Sequence, residues 1–147
     1  MENDRRIRES ARATEVGRRL MAIPGVGPLL ASAFVASVAD PRVFKTGRDL
    51  AAWIGLVPKQ NSSGGKERLG GISRAGNGYL RQMLVVGAMT VIRQAQRHGS
   101  RRAWLLQLLA RRATKVAAVA LANKTARTVW ALMTSGEAYR EPAVAPI

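Results

Sequence analysis

Leu20-Met-Ala-Ile-Pro-Gly-Val-Gly-Pro-Leu-Leu-Ala31 is the stretch that decides the fold. Just ahead of its prolines, Val16, Leu20 and Ile23 fall at helical spacing. Pro24 stops that helix, because proline disfavours helical dihedrals in the residue before it. Pro28 suits a first helical turn, and a second helix carries Leu29, Leu30, Phe34 and Val38 to a stop at Asp40-Pro41. The element is therefore a helix, a Pro-Gly-Val-Gly hairpin and a second helix. Such a hairpin aims the backbone N–H groups of Gly25, Val26 and Gly27, with the positive end of the second helix's dipole, at one spot where an anion can sit. The same residues also suit an αα-corner whose glycines only let two helices cross closely.

Working outward, Thr46 with Asp49 three residues on forms a capping box for a short third helix through Ala51, Ala52, Trp53 and Ile54, closed by Gly55. Further on, Leu80, Met83, Leu84, Gly87, Ala88, Val91, Ile92 and Ala95 trace an apolar stripe at the 3.6 period. That predicts a helix of about 18 residues, roughly 27 Å long, ending near His98-Gly99. Ser100 opens a shorter helix with Trp104, Leu105, Leu108 and Leu109. A last long helix runs from about Ala113 to Met133 with Val116, Val119, Ala120, Trp130 and Met133. Trp53, Trp104, Trp130, Met83 and Met133 fall on apolar faces and read as core or subunit contact. The only short extended pieces are Gly55 to Pro58 and Arg68 to Ile72. The fold class is mainly α: a helix-hairpin-helix element (17–38), a Gly-rich basic loop (58–78) and a small helical bundle (79–134). A charged N-terminal arm (1–13) precedes this single domain (14–134), and a disordered tail (135–147) is expected to follow it.

The loop between Gln60 and Arg81 holds six of the chain's 14 glycines. Its two adjacent hydroxyls, Ser62 and Ser63, lie among Lys59, Lys66, Arg68, Arg74 and Arg81, and Gly64 and Gly65 let the backbone approach a ligand closely. This combination suits a phosphodiester better than a protein core. It equally describes a mobile surface loop whose cations are solvated. It is not a nucleotide P-loop, because the Gly-x4-Gly-Lys-Ser/Thr spacing is absent and no buried strand precedes it.

Charge points the same way. The 147 residues carry 24 Lys and Arg against 9 Asp and Glu, a formal +15, in a chain that is 47% hydrophobic and able to bury a core. A field of that sign repels itself in the compact state unless a polyanion meets it, and arginine grips phosphate in two places. Nucleic acid is the first candidate partner. Arg101, Arg102, Arg111, Arg112, Lys115, Lys124 and Arg127 form either a flank for a duplex backbone or a solvated helix face. With no cysteine and one histidine, His98, thiolate and zinc sites are not expected. The start, Met-Glu-Asn-Asp-Arg-Arg, lacks the apolar centre of a signal peptide, so a cytoplasmic protein is expected. The uncharged run from Leu20 to Ala39 reaches membrane-spanning length, but Pro24, Gly25, Gly27 and Pro28 break it, so no membrane span is expected.

Three stretches together resemble a known family: Ile23-Pro-Gly-Val-Gly-Pro; Asp49-Leu-Ala-Ala-Trp-Ile-Gly-Leu-Val-Pro; and Gln60-Asn-Ser-Ser-Gly-Gly-Lys-Glu-Arg-Leu-Gly-Gly-Ile-Ser-Arg-Ala-Gly-Asn with Tyr79-Leu-Arg. They are similar to the C-terminal transposase domain of the IS-one-ten group of bacterial insertion-sequence transposases, over roughly residues 17 to 135. The resemblance implies a DNA strand-cleaving and joining activity. It further implies a bridge-RNA guide, dimers or tetramers, and a partner RuvC-like domain whose acidic tetrad binds Mg2+. By position the family's nucleophilic serine maps onto Ser62, with Ser63 the second choice. Lys66, Arg68 and Arg74 would stabilise the pentavalent phosphate. Gly25, Val26, Gly27, Gly64, Gly65 and Arg81 would bind the nucleic acid. No metal ligand and no cofactor are expected on this chain, because its nine acids are scattered and only Glu67 lies in the loop.

The chain departs from the family in lacking the RuvC-like domain. It reads as a truncated gene product, a relic or an excised fragment that alone binds nucleic acid without cutting it. The rival reading is a non-catalytic nucleic-acid-binding helix-hairpin-helix module, for which Ser62→Ala changes nothing. A weaker third is an RNA-binding structural protein using the same basic faces.

Overall fold

The computed structural model describes residues 5–6, 14–56, 74–100 and 102–140. It is mainly helical, as the apolar periodicity predicts, with no strand among the described residues. From residue 14 on, the helices among the described residues are, in order, α1 Glu15–Met21, α2 Pro28–Ser37, α3 Gly47–Ile54, α4 Arg74–His98, α5 Ala103–Arg111 and α6 Thr114–Ser135, with a 3-10 turn at Pro41–Val43 between α2 and α3. None of these helices is long and apolar enough to cross a membrane.

The helix ends follow local chemistry. Thr14 Oγ1 accepts from the Gly17 N–H at 2.9 Å to cap α1, and Thr46 Oγ1 accepts from the Asp49 N–H at 3.1 Å to cap α3. Gly55, with φ +98°, closes α3 in the left-handed conformation that glycine adopts without a Cβ clash. Ser100 Oγ accepts from the Arg102 N–H at 3.0 Å, so the serine expected to open α5 caps the turn just before it.

The core centres on α6, which packs against α1, α3, α4, α5 and the 3-10 turn. Its buried face is mostly small: Ala117, Ala118, Ala122 and Ala126 alternate with Leu121, Thr125, Val129 and Leu132. Small side chains at a helix contact shorten the interaxial distance, so neighbouring backbones come close. A Cβ built on Gly47 of α3 would lie 3.1 Å from the Arg127 Cα. Facing this helix, α4 buries Leu80, Leu84, Ala88, Ile92 and Ala95, the stripe visible in the sequence. Phe34 of α2 and Leu50 and Ile54 of α3 are fully buried beside it.

Three departures from the sequence reading bear on the site. Helix α4 is described from Arg74 onward, so the last residues assigned to the loop, Arg74–Gly78, are helical despite Gly76 and Gly78. Glycine's low helix propensity places the expected helix start too late, and a 25-residue helix packed along most of its length tolerates two glycines in its first turns. Trp104, read as core or subunit contact, lies outside the core: it is 37% exposed, with the Lys124 Nζ over its ring at 4.5 Å, while α5 buries Leu105 and Leu108. Finally, Ser135 ends α6, and residues 136–140, expected as disordered tail, are tied back. The Arg19 guanidinium donates to the Leu132 and Glu137 carbonyls at 2.8 and 3.1 Å, and Tyr139 packs against the core. Residues 141–147, and the charged arm apart from Arg5 and Arg6, lie outside the described residues.

Trp130 fastens the 3-10 turn to α6. Its Nε1–H is shared between the carbonyls of Pro41 at 3.1 Å and Phe44 at 3.2 Å, while the Phe44 ring tilts against Trp53 with centroids 5.5 Å apart. Trp130→Phe keeps most of the packing volume and removes the donor these two carbonyls share. Unfolding in denaturant should show a loss of about 1–2 kcal/mol. An unchanged midpoint would mean that water serves the carbonyls equally well.

Candidate nucleic-acid interface

The hairpin is built by main-chain bonds that the proline and glycine positions permit. The Ile23 N–H donates to Leu20 at 3.0 Å, and the Val26 N–H donates back to Ile23 at 3.0 Å, closing a tight turn around Gly25 at φ +91°. Gly25 is seated on α4. A Cβ there would lie 3.1 Å from both the Gly87 carbonyl oxygen and Val91 Cγ2, and a Cβ on Gly87 would fall on top of the Gly25 carbonyl oxygen. Two glycines far apart in sequence therefore let a turn and a helix touch backbone to backbone.

The three hairpin residues expected to meet an anion divide as a result. Val26 is buried and its N–H is committed to Ile23. Gly25 faces α4. Gly27 is exposed with open space around it, and as N-cap of α2 it supplies no side-chain cap. Pro28 has no N–H, so the first-turn amides that follow it and the positive end of α2 are the part of the hairpin an anion can meet.

The second expected site is flanked by described residues but not itself described. Ser62, Ser63, Gly64, Gly65, Lys66 and Arg68 lie outside the described residues, as do the extended pieces expected beyond Leu56. Where the chain enters this segment, Asn123 Nδ2 of α6 donates to the Leu56 carbonyl at 3.4 Å. Where it leaves, the described part of α4 begins at Arg74. Arg81, two turns into α4, reaches back to α3: its Nη1 donates to the Ile54 carbonyl at 3.2 Å, and a Cβ on Gly55 would meet the same nitrogen at 2.6 Å. The arginine expected to hold phosphate thus joins the C-terminal end of α3 to the first turns of α4.

The remaining charge is spread over the surface. Arg111, Arg112 and Lys115 lie around the α5–α6 turn, Lys124 covers Trp104, and Arg127 is exposed beside Gly47; Arg101 lies outside the described residues. His98 is exposed at the last residue of α4, well along the helix from Arg74. The carboxylates among the described residues are Glu15, Asp40, Asp49 and Glu137, and no three His, Asp or Glu side chains there are grouped to hold a metal ion. These residues do not fit a magnesium centre.

Comparison with known proteins covers the same ground. The profile described as the Transposase IS116/IS110/IS902 family matches residues 17–104, which contain the hairpin, α3, the loop and α4. The chain is 54% identical over 140 residues to a putative transposase, y4pF/y4sB, of Sinorhizobium fredii, covering 94% of this chain and 36% of that protein. It is 49% identical over 138 residues to a probable family 20 transposase of Pseudomonas aeruginosa, covering 93% and 41%. With the transposase for insertion sequence element IS1111A of Coxiella burnetii it shares 46% identity over 135 residues, covering 91% and 37%. The chain thus spans 36–41% of the length of these relatives. No solved structure matches it.

Proposed function

Because this chain belongs to the IS116/IS110/IS902 family of transposases, we propose that it is the DNA-handling part of such an enzyme and that Ser62 is its nucleophile. The observation that carries the reading is the extent of the match: residues 17–104 include the hairpin, both attachment points of the Gly-rich loop and the loop itself. The Ser62 Oγ, once its proton is taken by a base, forms a bond to a DNA phosphorus. The phosphorus–oxygen bond to the neighbouring deoxyribose breaks, and that oxygen leaves with a proton from solvent. Lys66, Arg68 and Arg74 stabilise the charge that grows on the phosphate oxygens, and Gly64 and Gly65 let the backbone come near. The uncapped start of α2 at Gly27 holds the sugar-phosphate backbone without reading bases. The metal-binding work belongs to a RuvC-like domain outside this chain, and a bridge RNA would choose the target.

The test is covalent trapping. This chain, a RuvC-like partner domain, magnesium and a nicked duplex should together give a DNA adduct on Ser62, and Ser62→Ala should remove it completely. An adduct that survives Ser62→Ala and disappears with Ser63→Ala moves the nucleophile by one residue. Absence of an adduct with the unsubstituted chain would leave a non-catalytic binding module as the function.

A further inference from the structure

The 3-10 turn and the start of α3 gather cations that neither the hairpin nor the loop accounts for. Trp130 Nε1 pins the Pro41 and Phe44 carbonyls to α6, and one turn earlier on the same helix the Arg127 backbone touches Gly47. Residues 41–48 are thereby laid along α6 from Trp130 to Arg127. Arg42, Lys45 and Arg48 stand on this stretch, Arg127 stands beside it, and all four are exposed. Their backbone is held by proline, by two hydrogen bonds from one indole and by a close helix contact, so the cluster is fixed in place rather than strung on a loop. Two carboxylates share the neighbourhood. Asp40 Oδ1 accepts from the Arg42 N–H at 3.0 Å, and Asp49 sits in the first turn of α3 against its positive end. Among the described residues none of the four cations forms an ion pair with them. Val43, between Arg42 and Lys45, is 74% exposed, an apolar side chain available to a deoxyribose face.

We propose that Arg42, Lys45, Arg48 and Arg127 form a second phosphate-contacting surface that holds duplex DNA flanking the reacting site. The inference rests on the DNA-handling function proposed above and extends it to a surface no sequence motif marks. Its placement follows from α3. The patch lies at that helix's N-terminal end, while the chain enters the loop just past its C-terminal end, at Leu56. Eight residues of helix separate the two by about 12 Å, the axial length of three to four base pairs of one strand. A duplex held where the chain enters the loop lies within a few base pairs' length of the patch. Arginine's planar fork and the point charge of Lys45 suit backbone contacts that fix register without reading sequence.

The experiment compares three forms of this chain on a duplex of about 30 base pairs by fluorescence anisotropy across a potassium chloride series. The patch variant carries R42Q, K45Q, R48Q and R127Q. The charge-matched control carries R18Q, R93Q, R97Q and R140Q, four exposed arginines elsewhere. Removing one phosphate contact should flatten the slope of log K against log salt by about 0.9, so the slope of the patch variant should be shallower by roughly 2 to 4 units and that of the control by less than about 1. All four patch side chains are exposed, and Arg127→Gln keeps the Cα and Cβ that touch Gly47, so thermal unfolding should be unchanged. If the quadruple variant unfolds early, K45Q with R48Q alone should flatten the slope by roughly 1 to 2 units against R93Q with R97Q. Equal slopes for patch and control would overturn the second surface and leave the DNA-handling function standing. Failure of the unsubstituted chain to bind duplex would instead remove that function. Loss of single-stranded RNA binding with duplex binding intact would overturn the proposal in favour of an RNA surface.

Discussion

Gly87→Ala should destabilise the protein by about 2 kcal/mol or more and lower its melting temperature by roughly 5–10 °C, the fall expected for a domain of this size. The sign is what makes the result informative. Gly87 lies mid-helix in α4, where alanine is the better helix former by about 1 kcal/mol, so propensity alone predicts a gain. The opposing effect is steric. The added methyl would land on the Gly25 carbonyl oxygen, a backbone atom in a turn that Pro24, the left-handed Gly25 and the Val26-to-Ile23 hydrogen bond keep from moving aside. Overpacking a site that cannot relax costs more than the propensity returns. Relief requires the hairpin to lift from α4, which shifts the start of α2 and should weaken nucleic-acid binding in parallel. A melting temperature that stays level or rises would show that the hairpin is not seated on α4 in solution.

The same contact shows how far the sequence can be read. Periodicity is a local property, so the face of α4 buried through Leu80, Leu84, Ala88, Ile92 and Ala95 is legible from spacing alone, as are the Thr46 cap and the Gly55 stop. Gly87 reads in that stripe as one more small residue. Its purpose depends on Gly25, far away in sequence, and no local pattern reports a pairing of that kind. Trp104 stays open between core and subunit contact for a related reason: the cation that covers it, Lys124, arrives from another helix. Arg81 reads from sequence as a nucleic-acid ligand because it follows the basic loop, and its hydrogen bond to the end of α3 is set by the fold and not by spacing. The patch at Arg42, Lys45 and Arg48 escapes sequence reasoning because those cations are too evenly spread to form a run; only the turn held by Trp130 brings Arg127 to them. Charged and glycine positions take their meaning from tertiary neighbours, whereas apolar positions announce theirs by period.

Binding to duplex DNA should depend on salt with a slope of log K against log salt steeper than about −5, a fall on the order of 10³ in affinity between roughly 50 and 200 mM. The argument begins from the formal charge of +15 and from the distribution behind it. Only Glu15, Asp40, Asp49 and Glu137 supply side-chain negative charge among the described residues, while arginines and lysines stand exposed on α1, α3, α4, α5, α6 and the 3-10 turn. Cations without internal partners are free to displace condensed counterions, and the entropy of those released ions drives association. About six phosphate contacts are enough for the stated slope. The exposed arginines and lysines of the described residues exceed that number. The surplus charge also sets the rate, because a field of one sign steers a polyanion toward the surface and its effect fades as salt shortens the Debye length. Association measured by stopped flow should therefore slow steeply over the same salt range. A slope shallower than about −2, with affinity intact, would mean that the arginines do not face phosphate when DNA is bound, and both binding surfaces would have to be sought elsewhere on the molecule.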